Sequence, residues 1–269
     1  MKEAGIAVIG SRNCSNYGRK ICKIFTNNLV GYNLNIISGL AIGIDTCAHK
    51  ACINAKGKTI AVIPSGFNNI YPEENEELFN KILKNEGTIV TEYPFEFQKT
   101  KESCRERNRI MSGISIATLV IEAGRISGTS ITVRHANEEH KKVFCIPSNI
   151  ENSKGIGTNK MIKSKQAKIV TEVEDIIEEL SEFKLEKKSD FIFMNTKRGS
   201  HKINKKKNNF KIDNENLEIY NLLEKGPRTI DEIVRILNKP IDEVTYKLTL
   251  LELQNVILKL PGNKFKKIL

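Results

Sequence analysis

The first 170 residues alternate between short runs of consecutive apolar residues and longer segments with helical periodicity. The runs are GIAVIGS, NIISGL, TIAVIPSG, TIVTEY, ATLVIEA, KVFCIPS and AKIV. A strand that is apolar at consecutive positions is buried on both faces, as in a parallel sheet covered by helices. This alternation is typical of an α/β protein. We therefore predict an extended Rossmann-like fold, with a doubly wound and mostly parallel sheet, for residues 1–183.

Residues 212–269 have the pattern of a second, smaller domain. The segments NENLEIYNLLEKG, TIDEIVRILN and PIDEVTYKLTLLELQNV predict three helices, and ILKLPGNKFKKIL alternates around a turn as a β-hairpin does. Three helices and a hairpin make a winged helix-turn-helix domain, which commonly binds DNA. The third helix begins with Asp242 and Glu243, however, and the segment carries equal numbers of acidic and basic residues. DNA contact and protein contact both remain open for this domain.

Most of the excess positive charge lies between these two regions. The whole chain has a formal net charge of +11, and residues 184–211 hold ten Lys or Arg against two Asp or Glu. Such a composition predicts a flexible basic linker. Two interpretations are open, a tether that attracts nucleic acid and a simple bias of composition.

Several classes of protein are not indicated by this sequence. No apolar run approaches the roughly 20 residues that cross a bilayer, and no signal-peptide pattern opens the chain, so we expect a cytoplasmic protein with no membrane contact. The six cysteines show neither C-x-x-C pairs nor zinc-ligand spacing. No phosphate-binding P-loop motif occurs. We therefore predict no metal, no cofactor and no catalytic group.

The turns that follow the predicted strands contain small residues and arginines. Ligands of a doubly wound sheet collect at the carboxyl ends of its strands. Free N–H groups at helix N-termini attract anions there, which points to Ser38-Gly39 and to Ser127-Gly128-Thr129. Guanidinium groups suit phosphates and can stack on bases. Arg12, Arg105, Arg107, Arg109 and Arg125 all follow or precede these strand ends.

Some of these residues could have a structural role in place of a ligand-binding or catalytic one. Arg107 and Arg109 could form internal salt bridges with Glu92 or Glu122. Asp45 and His49 stand four apart on one predicted helix, where an Asp–His hydrogen bond that orders the helix start is expected in preference to an acid–base pair.

Taken together, these segments resemble the DNA-processing protein A family, also called DprA or Smf. The matching pieces are GSRNCSNYG, SGLAIGID, GFNNIYP, TEYP, RNRIMSGIS, VIEAGRISGTSIT and KVFCIPS, in the family's order. The resemblance implies a Rossmann-like domain that binds single-stranded DNA and forms a homodimer. It also implies a recombination mediator that protects incoming strands in natural transformation and helps to load a RecA-type recombinase, with a C-terminal winged-helix-like domain.

With this resemblance, the predicted DNA-binding residues are small, polar or arginine residues of the matching segments. They are Ser11, Arg12, Ser38, Gly39, Gly43, Gly66, Arg105, Arg107, Asn108, Arg109, Ser127, Gly128, Thr129 and Thr132. One departure from the family is Ile42, where members commonly carry an arginine, and Arg105 is the candidate to compensate. Aromatic residues that could stack on bases are few in these loops, namely Phe67, Tyr71 and Tyr93. The helical domain that precedes the Rossmann-like domain in many members is not found in this sequence.

Two other functions are weighed against this one. Lysine-decarboxylase-like phosphoribohydrolases share the general fold and carry a P-G-G-x-G-T-x-x-E motif. The comparable stretch here is GRISGTSIT, which places Thr132 where the catalytic glutamate would stand and leaves Glu92 or Glu122 as substitutes. A transcription regulator acting through the winged helix is the third possibility, and the neutral charge of that domain disfavours it.

Overall fold

The computed structural model of this protein describes residues 4–125, 127–189, 191–194, 214–223, 226–253, 257–260, 262 and 264–267. The chain divides into two compact units, residues 1–200 and 201–269. Within the described residues, no helix has both the length and the apolar character required to cross a membrane.

The first unit alternates strands and helices along the chain. Its elements are β1 (Gly5–Ile9), α1 (Asn16–Gly31), β2 (Asn35–Ser38), α2 (Ile44–Asn54), β3 (Thr59–Val62), α3 (Glu76–Lys84), β4 (Thr88–Val90), α4 (Lys101–Gly113), β5 (Ala117–Val120), α5 (Thr129–Glu138), β6 (Lys142–Cys145), α6 (Ile156–Lys163), β7 (Lys168–Ile169) and α7 (Glu174–Glu179). Each apolar run quoted above supplies one strand.

The seven strands form one sheet in the order β4-β3-β2-β1-β5-β6-β7, with every neighbouring pair parallel. Strands β1 to β4 extend the sheet in one direction, and β5 then returns to the free side of β1. The doubly wound, Rossmann-like fold predicted from the sequence is confirmed. The point between β1 and β5, where the winding reverses, is where such sheets open a crevice for ligands.

The central strands β1, β2, β5 and β6 are buried on both faces, which explains their consecutive apolar runs. All five residues of β1 are buried. One hydrophobic cluster joins α1 to the sheet through Phe25, Leu29 and Phe144, and another joins α4, α5 and α6 to it through residues that include Met111 and Val133. These two layers hold the carboxyl ends of the strands, and therefore the crevice, in place.

Part of the predicted basic linker contacts the first unit. The N–H of Lys188 donates to the carbonyl of Gly31 at 2.8 Å. Phe191 and Phe193 pack against the cluster around α1, and Met194 exchanges two hydrogen bonds with the Asn28 side chain. Residue 190 and residues 195–211 of that segment lie outside the described residues. The domain boundaries at 183 and 211 stay a prediction.

The second unit contains α8 (Asn214–Leu222), β8 (Arg228–Thr229), α9 (Ile230–Leu237), α10 (Ile241–Leu253), β9 (Ile257–Leu260) and β10 (Lys264–Lys267). The strands form an antiparallel sheet in the order β8-β10-β9. The Thr229 side chain and Glu232 form a reciprocal capping box at the start of α9. Ile233, Leu248 and Phe265 contribute to the buried core. The predicted winged helix is confirmed.

Candidate nucleic-acid interface

A cleft of about 770 Å³ opens at the carboxyl edge of the sheet, where the winding reverses between β1 and β5. We call it the switch-point cleft. Its walls come from the turn after β1, the start of α2 with the turn before it, one side of α4 with the residues before it, and the first turn of α5 with the residues before it. The predicted residues that line it are Ser11, Arg12, Arg105, Arg107, Asn108, Ser127, Gly128, Thr129 and Thr132. Nine of the fourteen predicted residues therefore lie together at this edge, and their role in binding DNA stays a prediction.

The outer part of the cleft is strongly basic, and we call it the rim. Its members are the exposed side chains of Arg12, Lys99, Lys101 and Arg105. Among the described residues none of the four has an ion-pair partner, although the Lys99 ammonium lies 4.2 Å from the centre of the Tyr71 ring. Unpaired cations that face one concavity create a positive potential there, and this potential favours an anionic ligand.

The inner part of the cleft is built on a buried arginine. Arg107 is 4% exposed, and its Nη1 donates to the carbonyl oxygens of Gly39 and Val62 while its Nε donates to Asn108 Oδ1 at 3.2 Å. Burial lowers the pKa of Arg107, and the charge of Asp45 raises it. This guanidinium therefore ties α4 to the ends of β2 and β3, and the protein engages its Nε and Nη1 donors.

Asp45 and His49 complete this inner layer, and with Arg107 we call them the support. Asp45 Oδ2 accepts from the Gly39 N–H at 3.2 Å, and burial raises the pKa of its carboxyl group. His49 Nε2 accepts from the Leu40 N–H at 3.3 Å, and its Nδ1 lies 2.7 Å from Thr59 Oγ1. The predicted Asp45–His49 hydrogen bond is wrong, because each side chain instead binds a separate backbone amide of the turn between β2 and α2.

The partners of His49 settle its protonation. Thr59 Oγ1 donates to the carbonyl of Ile36 at 2.7 Å, so it accepts from Nδ1–H of the imidazole. Nε2 then carries the lone pair that the Leu40 amide requires. Burial, followed by the charge of Arg107, lowers the pKa of His49 to about 3. The imidazole is therefore neutral and structural at physiological pH.

The N-terminus of α5 is already partly capped by its own turn. Thr129 N–H donates to Ser127 Oγ at 3.2 Å, and the amides of Ser130 and Ile131 donate to the carbonyls of Ser127 and Gly128. Gly128 stands in open space, since no atom of the described residues, its chain neighbours aside, lies within 4 Å of the position a Cβ would take. Ligand approach is open at Gly128, and an anion at this turn would compete with the Ser127 hydroxyl.

Five predicted residues do not line the cleft. Ser38 is fully buried and its hydroxyl donates to the carbonyl of Val8 at 2.7 Å. A Cβ at Gly39 would stand 2.3 Å from Arg107 Nη1, and one at Gly66 would stand 2.0 Å from the carbonyl oxygen of Pro94. Gly43 has φ +89°, in the region that favours glycine, and lies against the backbone of the Ser11-Arg12 turn. Their positions are required by close packing within the protein.

Arg109 is the fifth, and its guanidinium pairs with the Glu92 carboxylate on the surface. That pairing was the alternative weighed from the sequence. The other candidate carboxylate, Glu122, is 1% exposed and accepts from Ser15 N and Ser15 Oγ, both at 2.7 Å, and from Asn152 Nδ2 at 3.2 Å. Both carboxylates are thus engaged by protein donors, and neither lines the cleft.

Lys99 and Lys101 are rim residues that the sequence prediction missed. They flank Thr100, whose side chain and that of Ser103 form a capping box at the start of α4. The Thr-x-x-Ser cap beside two lysines was the available signal. None of the three aromatic candidates lines the cleft. Phe67 packs on Phe79 and Phe95, and Tyr93 stacks on Phe97 at 4.3 Å, whereas Tyr71 lies beside the rim, under Lys99.

Both units of the chain are similar to known proteins. A family model described as DNA recombination-mediator protein A matches residues 1–181, and one described as the DprA winged helix domain matches residues 207–263. The chain is 39% identical over 175 residues to protein Smf of Escherichia coli, covering 65% of this chain and 46% of that protein. It is 38% identical over 177 residues to the DNA processing protein DprA of Bacillus subtilis, covering 66% of this chain and 59% of that protein.

Two solved structures are also similar. The X-ray structure of DprA from Streptococcus pneumoniae matches with a TM-score of 0.62 and 38% identity over 66% of this chain and 62% of that one. A structure of DprA from Helicobacter pylori, described for its single-stranded DNA binding mode, matches with a TM-score of 0.61 and 27% identity over 67% and 81%. The chain thus spans about half the length of the curated relatives it matches. On the match over residues 1–181, this chain belongs to the DNA recombination-mediator protein A family.

Proposed function

We propose that this protein binds single-stranded DNA in the switch-point cleft and acts as a recombination mediator in natural transformation. In this role it protects incoming strands and helps to load a RecA-type recombinase onto them. The observation that carries the proposal is the basic rim of Arg12, Lys99, Lys101 and Arg105 at the ligand-binding edge of the sheet. Phosphates of a nucleic-acid backbone are the ligands that such a set of unpaired cations attracts.

The shape of the site supports a strand rather than a dinucleotide. Its cations are dispersed over the turn after β1 and the start of α4, and Gly128 opens a further wall without a side chain. A single strand presents a row of separate phosphates, which matches dispersed cations better than one pyrophosphate does. None of the three candidate aromatics lines the cleft, which therefore relies on phosphate contacts, so binding is strongly salt-dependent and weakly sequence-dependent.

The cleft supports binding rather than catalysis. Thr132, which occupies the position of the glutamate in the phosphoribohydrolase motif, is 1% exposed. Glu122 holds the N-terminus of α1 through Ser15, and Glu92 is paired with Arg109. Asp45, the acidic residue that lines the cleft, is engaged by the Gly39 amide.

The first experiment is a fluorescence titration of the full chain with single-stranded and double-stranded oligonucleotides at two salt concentrations. We expect preferential binding of single strands, with an affinity that falls steeply as salt rises. Release of base from nucleoside monophosphates is followed in the same samples. Equal affinity for both DNA forms, or turnover of the nucleotide, would contradict the proposal.

The partner and the assembly require separate tests. Loading of a recombinase is measured as faster RecA filament growth on single strands already coated with single-strand-binding protein. The proposed homodimer is measured by sedimentation velocity at micromolar concentration, where a single monomeric species would remove it. Either result leaves the DNA-binding proposal to be judged by the titration alone.

A further inference from the structure

We propose that a second basic groove, between α1 and α2, continues the path of the single strand beyond the switch-point cleft. This inference rests on the proposed function, because it assigns the same ligand a longer track. The groove has a volume of about 580 Å³, and its walls include Arg19, Lys23, Asn27 and Lys50. We call it the α1–α2 groove.

The positive charges of the groove follow from helix geometry. Arg19, Lys23 and Asn27 are four residues apart along α1 and therefore form one stripe. Lys50 faces them from α2, beside Cys47 and Ala51. Arg19, Lys23 and Lys50 are exposed, and in the described part of the chain their side chains form no ion pair. The cost of leaving three like charges together is offset when an anionic polymer binds.

The turn between β2 and α2 connects the two clefts. Ala41 lines the switch-point cleft, whereas Ile42 and Gly43 line the α1–α2 groove. A Cβ at Gly43 would stand 2.3 Å from the carbonyl oxygen of Ser11, so this turn lies directly against the turn that carries Arg12. A strand that leaves Arg12 therefore crosses residues 41–43 to reach Arg19 and Lys50.

Two groups in this second track are suited to bases rather than phosphates. Ile42 is 44% exposed and offers an apolar surface at the crossing point. Asn27 lines the groove and is half-buried, and its buried Oδ1 has no hydrogen-bond partner among the described residues, so its amide can pair with a base edge once the side chain turns toward the groove. Glu74 lines the groove as well, and its carboxylate repels phosphates from that part of the wall.

The proposed path crosses the turn between β2 and α2 within one small domain, and such a path favours a flexible ligand. Double-stranded DNA is stiff over about 150 base pairs, and a sharp bend within one small domain costs several kcal/mol. A single strand follows such a turn without that cost. We therefore assign the α1–α2 groove to the continuation of single-stranded DNA, and not to a duplex.

The test compares a groove variant with a control of equal charge change. The groove variant combines Arg19→Ala, Lys23→Ala and Lys50→Ala. The control combines Lys20→Ala, Lys84→Ala and Lys163→Ala, three exposed lysines that line neither cleft. Both variants and the parent chain are titrated by fluorescence anisotropy with mixed-sequence oligonucleotides of about 6 and about 20 nucleotides, since short and long strands engage one or both tracks. Thermal melting confirms that all three are folded.

We expect all three proteins to bind the short oligonucleotide equally. For the long oligonucleotide, the groove variant should lose about tenfold in affinity at low salt, and its salt slope should fall by about 2, since each phosphate contact contributes about 0.7. Equal binding of the long strand by the groove variant and the control would overturn the inference. Loss of the short strand as well would also overturn it, because the groove would then be the primary site. Failure of the parent chain to bind either strand would instead refute the proposed function, and the inference with it.

Discussion

The support and the rim of the switch-point cleft both contain arginine, in opposite roles. Arg107 in the support is 4% exposed and bound to backbone carbonyls, whereas Arg105, two residues earlier on α4, is exposed and lines the cleft without an ion pair in the described structure. Donors that are already engaged stabilise the fold, and donors that are still available bind ligands. The difference teaches that a guanidinium near a ligand site is not by itself a ligand group.

Among the variants that separate the support from the rim, Arg107→Ala should produce the largest effect. Arg107→Ala leaves the carbonyls of Gly39 and Val62 without their donor and Asp45 without a nearby positive charge. We expect the free energy of unfolding to fall by about 3 kcal/mol or more. Urea unfolding of the full chain measures this loss. Arg107→Lys keeps the charge but not the planar fork, so its free energy of unfolding should lie between those of the parent chain and Arg107→Ala. An unchanged urea midpoint in Arg107→Ala would show that Arg107 is not a support residue.

The pH dependence of stability tests the support through His49. Its pKa is about 3 in the folded chain, and an imidazole has a pKa of about 6.5 when unfolded. Between these values the unfolded state binds more protons, so the His49 contribution to the free energy of unfolding falls by about 1.4 kcal/mol for each pH unit below about 6.5.

Urea unfolding at pH 7, 6 and 5, with His49→Gln as the control, isolates this contribution. Asp45 also contributes to the pH dependence, with the opposite sign, because its pKa is raised in the folded chain. This contribution is common to the parent and the variant, so it cancels when their free energies of unfolding are subtracted. Parallel pH profiles for the two proteins would mean that His49 is not held neutral by the fold.

Variants of the rim should alter binding and leave the fold intact. Arg12→Ala and Arg105→Ala remove exposed side chains with no ion pair in the described residues, so each should change the free energy of unfolding by less than about 0.5 kcal/mol. Each should weaken single-strand binding about tenfold at low salt and reduce the salt slope by about 0.7. Titrations at two salt concentrations measure both quantities. Unchanged affinity in both variants would remove the rim from the binding site.

Arg109→Ala should have the smallest effect. Its guanidinium is paired with Glu92, both side chains are about half exposed, and it lies outside the cleft. Exposed ion pairs contribute about 0–1 kcal/mol, and a double-mutant cycle with Glu92→Ala should return a coupling energy in that range. Single-strand affinity should match that of the parent chain. A loss as large as that of Arg12→Ala would place Arg109 among the rim residues.

The arginines of α4 also show where sequence reasoning stops. A helix turns about 100° per residue, so Arg105 and Arg109 share one face and Arg107 points the opposite way. Arg107 falls in line with Ser103 and Met111, which are both buried. The spacing could therefore separate Arg107 from its neighbours. Nothing in the spacing says that a face containing Arg107 is the buried one, because that depends on the strand ends it meets.

The sequence by itself determined the sheet, the winged helix and the edge at which the cleft opens. Consecutive apolar residues require burial on both faces, and strand–helix alternation then leaves the doubly wound sheet with its ligand edge at the strand ends. Only the tertiary structure decided which polar residues at that edge are engaged and which are available. Arg107 and Arg12 differ in the partners that distant segments bring to them, and the α1–α2 groove exists because two helices place Arg19 opposite Lys50. Contacts between residues far apart in the chain decide which polar residues are engaged and whether the groove forms, and no local sequence pattern predicts such contacts.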